Sequence, residues 1–519
     1  MGNSLLKFSA DIKKTWKTAF YSVVIIGLLV HLYKFTNYLP GRDSLSNLYA
    51  DQNIVGSGRW FLTIACGISS YFDLPMLIGI LSIFYIALTM VVLTELFHME
   101  NPVLIILCGG LMVTFPGVTE TFTYAYTADG YMLSMLLAAA AVYVTRIREN
   151  IGWRSWLLAG VLLCLSCGIY QSYITFALVL VLFHFIYELL ENRMETKAMV
   201  LWAVKQMVLY AAAMAAYYAI WKICLLLQNK GAADYQGIAD LGSDLVGTFL
   251  RGFPVSVKAV VLYFFHWNFL RYGLTTYSVL NMLFLIFCGG ILVAAPIRCG
   301  MVRRKAHLAL YLLCWVLFVP CCCIWSFVSG GIVYRPMMLP ALALLYLFVL
   351  VLFERWAKPR YADLAALLLA VVIFNFGLIA NICYFYMNES YEQSYATAMR
   401  MMMDIDDMAE EYEFDSVAIV GDRRYDEKLQ TYDDEKQQQT PAAGIDVIGR
   451  HMYRNMLFDH LSVTPFLEHF LGMELEILPG WQIHEFSRTD RFGEMSVWPA
   501  DGSMVVEDRV LFIKIHEDS

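Results

Sequence analysis

Asp43 and Asp51 stand in one polar stretch between apolar runs, with Arg42 beside the first and Arg59 beyond the second. A second polar stretch carries Glu120, Tyr124, Tyr126 and Asp129, and a third, barely a loop, carries Tyr170, Gln171 and Tyr173. A fourth holds Tyr334 and Arg335 next to Pro336. Carboxylates can draw a proton from a hydroxyl or hold sugar hydroxyls, an amide can do the second, and an arginine fork matches a phosphate. Tyrosine faces stack on sugar rings. Together these types could hold a sugar phosphate while an acid activates an acceptor hydroxyl. Singly, each has a plainer reading. Asp43 would cap a short helix at Ser44–Ala50, and Asp129 before Gly130 would cap the next helix. Arg335 would snorkel to headgroups, and Tyr170 and Gln171 would be hydrogen-bonding glue between helices.

The elements that must position these residues are membrane spans. Of 519 residues, 59% are hydrophobic and only 16% charged, and the mean hydropathy is +0.57. A soluble protein of this length cannot bury so much apolar surface. The net charge of −8, with no Lys/Arg-rich run, argues against nucleic acid as a partner. Apolar runs long enough to cross about 30 Å of hydrocarbon fall near 20–35, 74–97, 102–118, 130–146, 155–168, 169–190, 200–227, 277–297, 307–328, 332–353 and 361–386. The first is read as an uncleaved anchor, since Lys13, Lys14 and Lys17 precede it without a cleavage site after it. Basic residues favour the cytoplasmic side. Lys7, Lys13, Lys14, Lys17, Arg146, Arg148, Arg154, Arg193, Lys197, Lys205, Arg298, Arg303, Arg304, Lys305, Arg355, Lys358 and Arg360 all lie inside if the N-terminus is cytoplasmic. An odd number of spans, eleven, then exports the C-terminal tail. Arg59–Phe72 and Val255–Arg271, with Tyr263, Phe264, Phe265, His266, Trp267 and Phe269, are read as lying along the outer interface, the second alternatively as a re-entrant wall.

The expected architecture is therefore a polytopic α-helical membrane domain over residues 1–387, with outer loops at 36–73, 117–130 and 228–276, and an extracytoplasmic α/β domain at 388–519. The split is chemical as well. Residues 388–519 hold 11 Lys/Arg and 28 Asp/Glu, a balance of −17 against +9 for the rest. In the tail, 390–412 reads as a helix continuing from the last span, Ser416–Val420 as a strand, Gln437–Gln439 as a polar loop, and 504–506 with 510–515 as a hairpin turning near Asp508. No phosphate-binding glycine loop or nucleophilic triad spacing occurs there, so the tail should cover the outer mouth or bind an acceptor. All 12 cysteines precede residue 384, mostly in apolar runs, and Cys164-x-x-Cys167 lies within a span; neither disulfide nor zinc site is expected. His98, His184 and His307 show no ligand spacing and read as packing residues.

Charged side chains at membrane depth cost about 2.5–3.5 kcal/mol each on insertion scales, so those that occur there usually have a function. Carboxylates, arginines and a Tyr-Gln pair converge from four segments on one face, the layout expected where a sugar is taken from a polyprenyl phosphate. Asp43, then Gly58-Arg59-Trp60, the stretch Tyr124–Tyr131 and Gly168-Ile169-Tyr170-Gln171-Ser172-Tyr173 resemble the bacterial membrane glucosyltransferases that decorate O-antigen, a type C glycosyltransferase family. The resemblance covers roughly residues 20–350, and Trp498-Pro499-Ala500-Asp501-Gly502-Ser503 is similar to the C-terminal region of some members. Where the family often has Asn-Asp-Asp, this chain has Gly41-Arg42-Asp43, so Asp51 is kept as a second candidate acid.

The resemblance implies a type C membrane fold and transfer of glucose or a similar hexose from a polyprenyl-phosphate sugar to a cell-envelope glycan, with inversion, at a bacterial inner membrane. It implies Asp43 as the base. Arg59 and Arg335 are candidates for the phosphate, Asp129, Tyr170 and Gln171 for sugar hydroxyls, and Arg42, Glu120 and Tyr334 for further substrate contacts. No cofactor is required, though a divalent cation is compatible with two acids in one loop. The competing readings are a flippase or transporter for a lipid-linked sugar, an envelope glycan polymerase or ligase, and a scaffold whose tail binds a partner. Against a transporter, no inverted repeat is visible, and the ionisable residues collect at an interface rather than at the bilayer midplane.

Overall fold

The computed structural model describes residues 12–147, 151–192, 194–233, 245–265, 274–329, 332–356, 362–420, 442, 448, 463–474, 476–478 and 486–515. The sequence expectations for Gln437–Gln439, for 266–271 and for Lys7, Arg148, Arg193, Lys358 and Arg360 lie outside these residues. The chain divides into two compact units, one chiefly of residues up to 37 and 50–382, the other chiefly of 38–49 and 383–515.

Unit 1 is a helical bundle. Its helices are α1 (Lys14–Thr36), then, past α2 (Arg42–Leu45) of the other unit, α3 (Leu62–Cys66), α4 (Pro75–Leu96), α5 (Pro102–Thr114), α6 (Pro116–Thr123), α7 (Ala125–Val144), α8 (Trp153–Ile169), α9 (Tyr173–Glu191), α10 (Thr196–Leu227), α11 (Leu245–Val261), α12 (Thr276–Arg298), α13 (Lys305–Cys322), α14 (Ala341–Trp356) and the first part of α15 (Ala362–Glu411). Proline opens α4, α5 and α6, where its missing N–H costs nothing. At α5 the Asn101 side chain also caps the N–H groups of Val103 and Leu104. Pro116 has a second effect. It pushes Phe115 into extended backbone, ψ 133°, so that α5 stops and α6 restarts in a new direction. The stretch expected as a loop at 117–130 is therefore mostly helix. α1 packs on α4 and α5, α4 on α7, α7 on α8, and α8 on α10. α9 and α14 pack on one another and are apolar and buried on nearly every face, whereas α10 leaves much of its apolar surface outward, as a lipid-facing helix does.

Ten helices among the described residues are long and apolar enough to cross a membrane, including Val246–Phe265, with α8 and α14 shorter. Val246–Phe265 begins well before the stretch read as interfacial, because Val246, Phe249 and Leu250 extend its apolar surface upstream. Residues 38–49 and the tail share one compact unit, so an even number of crossings must separate them. Among the described residues eleven apolar helices lie between, one more than an even number of crossings allows. The crossing of Val246–Phe265 is the one that would carry Arg298–Lys305 away from the other basic clusters.

Unit 2 takes α15 from Cys383 onward, β1 (Ser416–Val420), α16 (Val463–Leu471), β2 (Glu476–Ile477), α17 (Asp490–Glu494), β3 (Met504–Glu507) and β4 (Val510–Lys514). The sheet order is β2-β1-β4-β3, with β1 parallel to β2 and β4, and β3 antiparallel to β4. The β3–β4 turn places both Asp508 and Arg509 at positive φ, the geometry a two-residue hairpin requires. Alternation along the strands buries both sheet faces. Val417, Ile419, Leu511 and Ile513 pack against Met401, Ile405 and Phe466, while Ala418, Val420 and Phe512 pack against Phe486 and Phe492. Leu45 is part of the first of these cores. The segment 38–49 thus belongs to the α/β unit and not to the helical bundle, a grouping that a division at Met387 does not contain.

Candidate active site

The turn Val55–Gly58 is held by donors from elsewhere in unit 1 at four successive carbonyls. Trp221 Nε1 donates to Val55 O (2.7 Å), the Ala233 N–H to Gly56 O (3.0 Å), Gln171 Nε2 to Ser57 O (2.6 Å) and Tyr217 Oη to Gly58 O (3.0 Å). Gln171 Nε2 also donates to Tyr217 Oη at 2.9 Å. Gly58 has φ 85°, and a Cβ there would collide with Gln171 Nε2 and Tyr217 Oη; only glycine fits. The next residue is Arg59. Its guanidinium lies 4.8 Å from the Tyr170 ring centre and donates from Nη1 to Tyr131 Oη at 3.0 Å. Tyr131 and Tyr170 stack in turn, 4.5 Å apart and 12° from parallel. Tyr170 is therefore a platform for the arginine, and Gln171 spends its amide nitrogen on the protein itself.

Tyr173, in edge contact with Tyr170, leads to a second group. It lines a void of about 10 Å³ with Gly117, Val118, Met337 and Pro340, room for about one water. Here the segment Arg335–Met337 lies across α6. The Met337 N–H donates to Glu120 Oε2 at 2.6 Å, and a Cβ on Gly117 would come within 2.6 Å of Pro336 O. Arg335 donates to Tyr124 Oη, and Tyr334 Oη accepts from the Ser326 N–H and hydroxyl at 3.0 and 3.1 Å. Glu120 is fully buried, and its Oε1 has no hydrogen-bond partner among the described residues. Asp129 is 1% exposed; its Oδ1 accepts from the Gly130 N–H at 2.8 Å and its Oδ2 has no partner among the described residues. Unpaired carboxylate oxygens out of water are costly unless something donates to them.

Asp43 lies in unit 2, exposed, inside α2 rather than capping a helix begun at Ser44. The difference has a local cause: the Ser44 hydroxyl accepts from the Gly41 N–H at 3.2 Å and starts the helix two residues early. Asp43 uses its backbone oxygen to accept from Asn47 Nδ2 at 2.7 Å, and no hydrogen bond reaches its carboxylate among the described residues. Asp51 is exposed in unit 1, and its Oδ1 accepts from the Asn53 N–H at 3.0 Å, closing a local turn. The side chain of Arg42 lies outside the described residues. Among the described residues no group of three or more His, Cys, Asp or Glu could hold a metal ion. His184 Nε2 accepts from the Ile147 N–H and His307 Nε2 pairs with Thr196 Oγ1.

This constellation lies within the stretch 32–353, which matches the family model described as glucosyl transferase GtrII. The chain belongs to that glucosyltransferase family. No curated protein and no solved structure matches it significantly. The match takes in most of the helical bundle, from the end of α1 almost to the end of α14, with both arginine clusters inside it, and most of the acidic α/β unit lies beyond it. Tyr217 and Trp221 of the glucosyltransferase escape sequence reading. Their one signal is that two polar-tipped aromatics recur one helical turn apart, a spacing that puts both on one face. Gly117 carries no signal at all without its neighbour Pro336.

Proposed function

We propose that this membrane glucosyltransferase moves glucose, or a similar hexose, from a polyprenyl-phosphate sugar to a cell-envelope glycan at the extracytoplasmic face of a bacterial inner membrane, with inversion. The reading rests on one observation: two buried carboxylates, each with an oxygen that has no partner among the described residues, lie on α6 and α7, close in sequence to the tyrosines Tyr124 and Tyr131 that accept from two arginines. Arg59 and Arg335 supply fork-shaped cations for a phosphate, and Glu120 Oε1 and Asp129 Oδ2 are acceptors for sugar hydroxyls. Asp43, the base that the family resemblance implies, takes the proton of the acceptor hydroxyl. The hydroxyl oxygen then bonds to the anomeric carbon as the bond from that carbon to the phosphate oxygen breaks. The electron pair leaves with the polyprenyl phosphate, whose growing charge the arginines stabilise. The distribution of basic residues supports a cytoplasmic N-terminus and an exported tail. A lipid phosphate leaves readily enough that a divalent cation is not demanded.

The test is incubation of the purified full-length protein with radiolabelled polyprenyl-phosphate glucose and envelope glycans. Label should enter the glycan, and Asp43→Asn should abolish transfer while donor binding persists. Label that stays on the lipid with every glycan offered, or an Asp43→Asn enzyme that turns over normally, overturns the assignment. Asp51→Asn, by contrast, should cost little, since its carboxylate already serves a turn.

A further inference from the structure

We infer that Gln171 and Tyr217 are positioning residues for Arg59: they lock the Val55–Gly58 turn so that the guanidinium stands preset on the Tyr131–Tyr170 stack. The inference deepens the reading of Arg59 as a donor-phosphate contact and rests on it for its catalytic meaning, though not for its geometry. An arginine side chain has many rotamers, and holding it in one of them before the ligand arrives removes that entropy cost from binding. Stacking alone does not fix it, because a ring face allows the guanidinium to slide and turn. The backbone that launches it must be fixed as well.

That backbone is fixed to an unusual degree. Four consecutive carbonyls of a short turn each accept a hydrogen bond from α10, from the residue chain just after it, or from Gln171 at the mouth of α9. Gln171 bridges the system, since one nitrogen reaches both Ser57 O and Tyr217 Oη. Gly58, at positive φ, lets these two polar groups come close to the chain immediately before Arg59. The sequence neighbour of the bridge is Tyr170, the platform itself. One dipeptide, Tyr170-Gln171, therefore holds the arginine from both sides, ring against guanidinium and amide against launching turn. A substrate amide contact would leave the Gln171 nitrogen available; here it has two protein acceptors.

Two readouts on the full-length enzyme in nanodiscs test this: the rate at which phenylglyoxal labels Arg59, followed by peptide mass spectrometry, and the donor KM and kcat. Gln171→Leu and the milder Tyr217→Phe should each speed Arg59 labelling and raise donor KM by about 5–10-fold, the size of one lost buried hydrogen bond, with kcat changed much less. In an Arg59→Lys background the same substitutions should add little to KM, because coupled residues are not additive. Gln206→Leu is the control. Gln206 Nε2 donates to Thr145 O at 3.2 Å from the same helix α10, so its loss also removes a buried glutamine–carbonyl bond, but it should leave Arg59 labelling and donor KM unchanged. Unchanged labelling in Gln171→Leu and Tyr217→Phe overturns the lock, as does a rise of the same size in Gln206→Leu. Faster labelling with an unchanged donor KM supports the lock and instead removes Arg59 from the donor site, which separates failure of this inference from failure of the functional reading.

Discussion

Replacing Gly117 by alanine should harm catalysis more than folding, and the amounts follow from one close approach. A Cβ at this position lies 2.6 Å from Pro336 O and 3.2 Å from Pro336 C, against an ordinary contact of 3.4 Å or more. The obstacle is backbone on both sides, so α6 and the Arg335–Met337 segment must separate by about 0.8 Å. Overpacking of this kind costs about 1–3 kcal/mol. Alanine in place of a helical glycine returns about 1 kcal/mol, so the net loss of stability should be on the order of 0–2 kcal/mol. Transfer rates are far more sensitive. The displaced segment carries Arg335 and the Met337 N–H that meets Glu120, and a shift approaching 1 Å can lower a rate by about 10²-fold. Thermal unfolding and label transfer in one detergent would measure both quantities. Gly289→Ala is the reference, since nothing lies within 4 Å of its Cβ position, and it should be slightly stabilising and fully active. If Gly117→Ala unfolds no earlier than Gly289→Ala and transfers at the unaltered rate, the close approach has no role in holding the arginine.

Arg59→Lys and Arg335→Lys should each raise donor KM by about tenfold or more, because an ammonium does not present two parallel donors and, at position 59, loses the guanidinium's stacking on Tyr170; donor titrations would show it, and an unchanged KM for both would remove the phosphate assignment. Leu45→Ala should lower the stability of unit 2 by about 2–5 kcal/mol, the cost of an emptied core position, read from hydrogen exchange in β1 and β4. Trp498 Nε1 donates to Asp404 Oδ2 at 2.7 Å, so Asp404→Leu should cost about 1–3 kcal/mol and Asp404→Asn much less, measured the same way. Asp415 accepts two hydrogen bonds from Arg509, which hold its carboxyl below the usual carboxylate value. Its contribution should be complete above the unfolded value, about pH 4, and vanish as pH falls through the lowered folded value. Arg509→Ala should remove that acid limb from exchange at the β3–β4 end, by a small amount because the pair is exposed.

Apolar run length made the bundle legible, since crossing hydrocarbon demands long stretches without charge and leaves a plain trace in composition. The strands at 416–420 and 510–514 were legible for a related reason: alternation with both faces apolar marks a covered sheet. Less could be read where partners decide. Gln171 was visible as a polar residue at a helix mouth, but nothing in its neighbours says that its amide meets Ser57, more than a hundred positions earlier. The stretch 117–130 looked like a loop because Glu120, Thr121, Thr123 and Asp129 are polar; Pro116 starts a helix there, and burial among other helices overrides local polarity. Leu45 is a single leucine among polar residues, and only the fold reveals that it completes a core whose other buried members lie between Ala398 and Ile515, more than 350 positions further on.

That leucine sets a rule for hybrids. An exchange of tails between this enzyme and a relative, made at the end of the last span, would leave residues 38–49 facing a foreign core, with Leu45 lacking the pocket formed by Met401, Ile405, Phe466 and Trp498. The interchangeable cassette is discontinuous: a dozen residues near the start of the chain travel with the last hundred and thirty-odd.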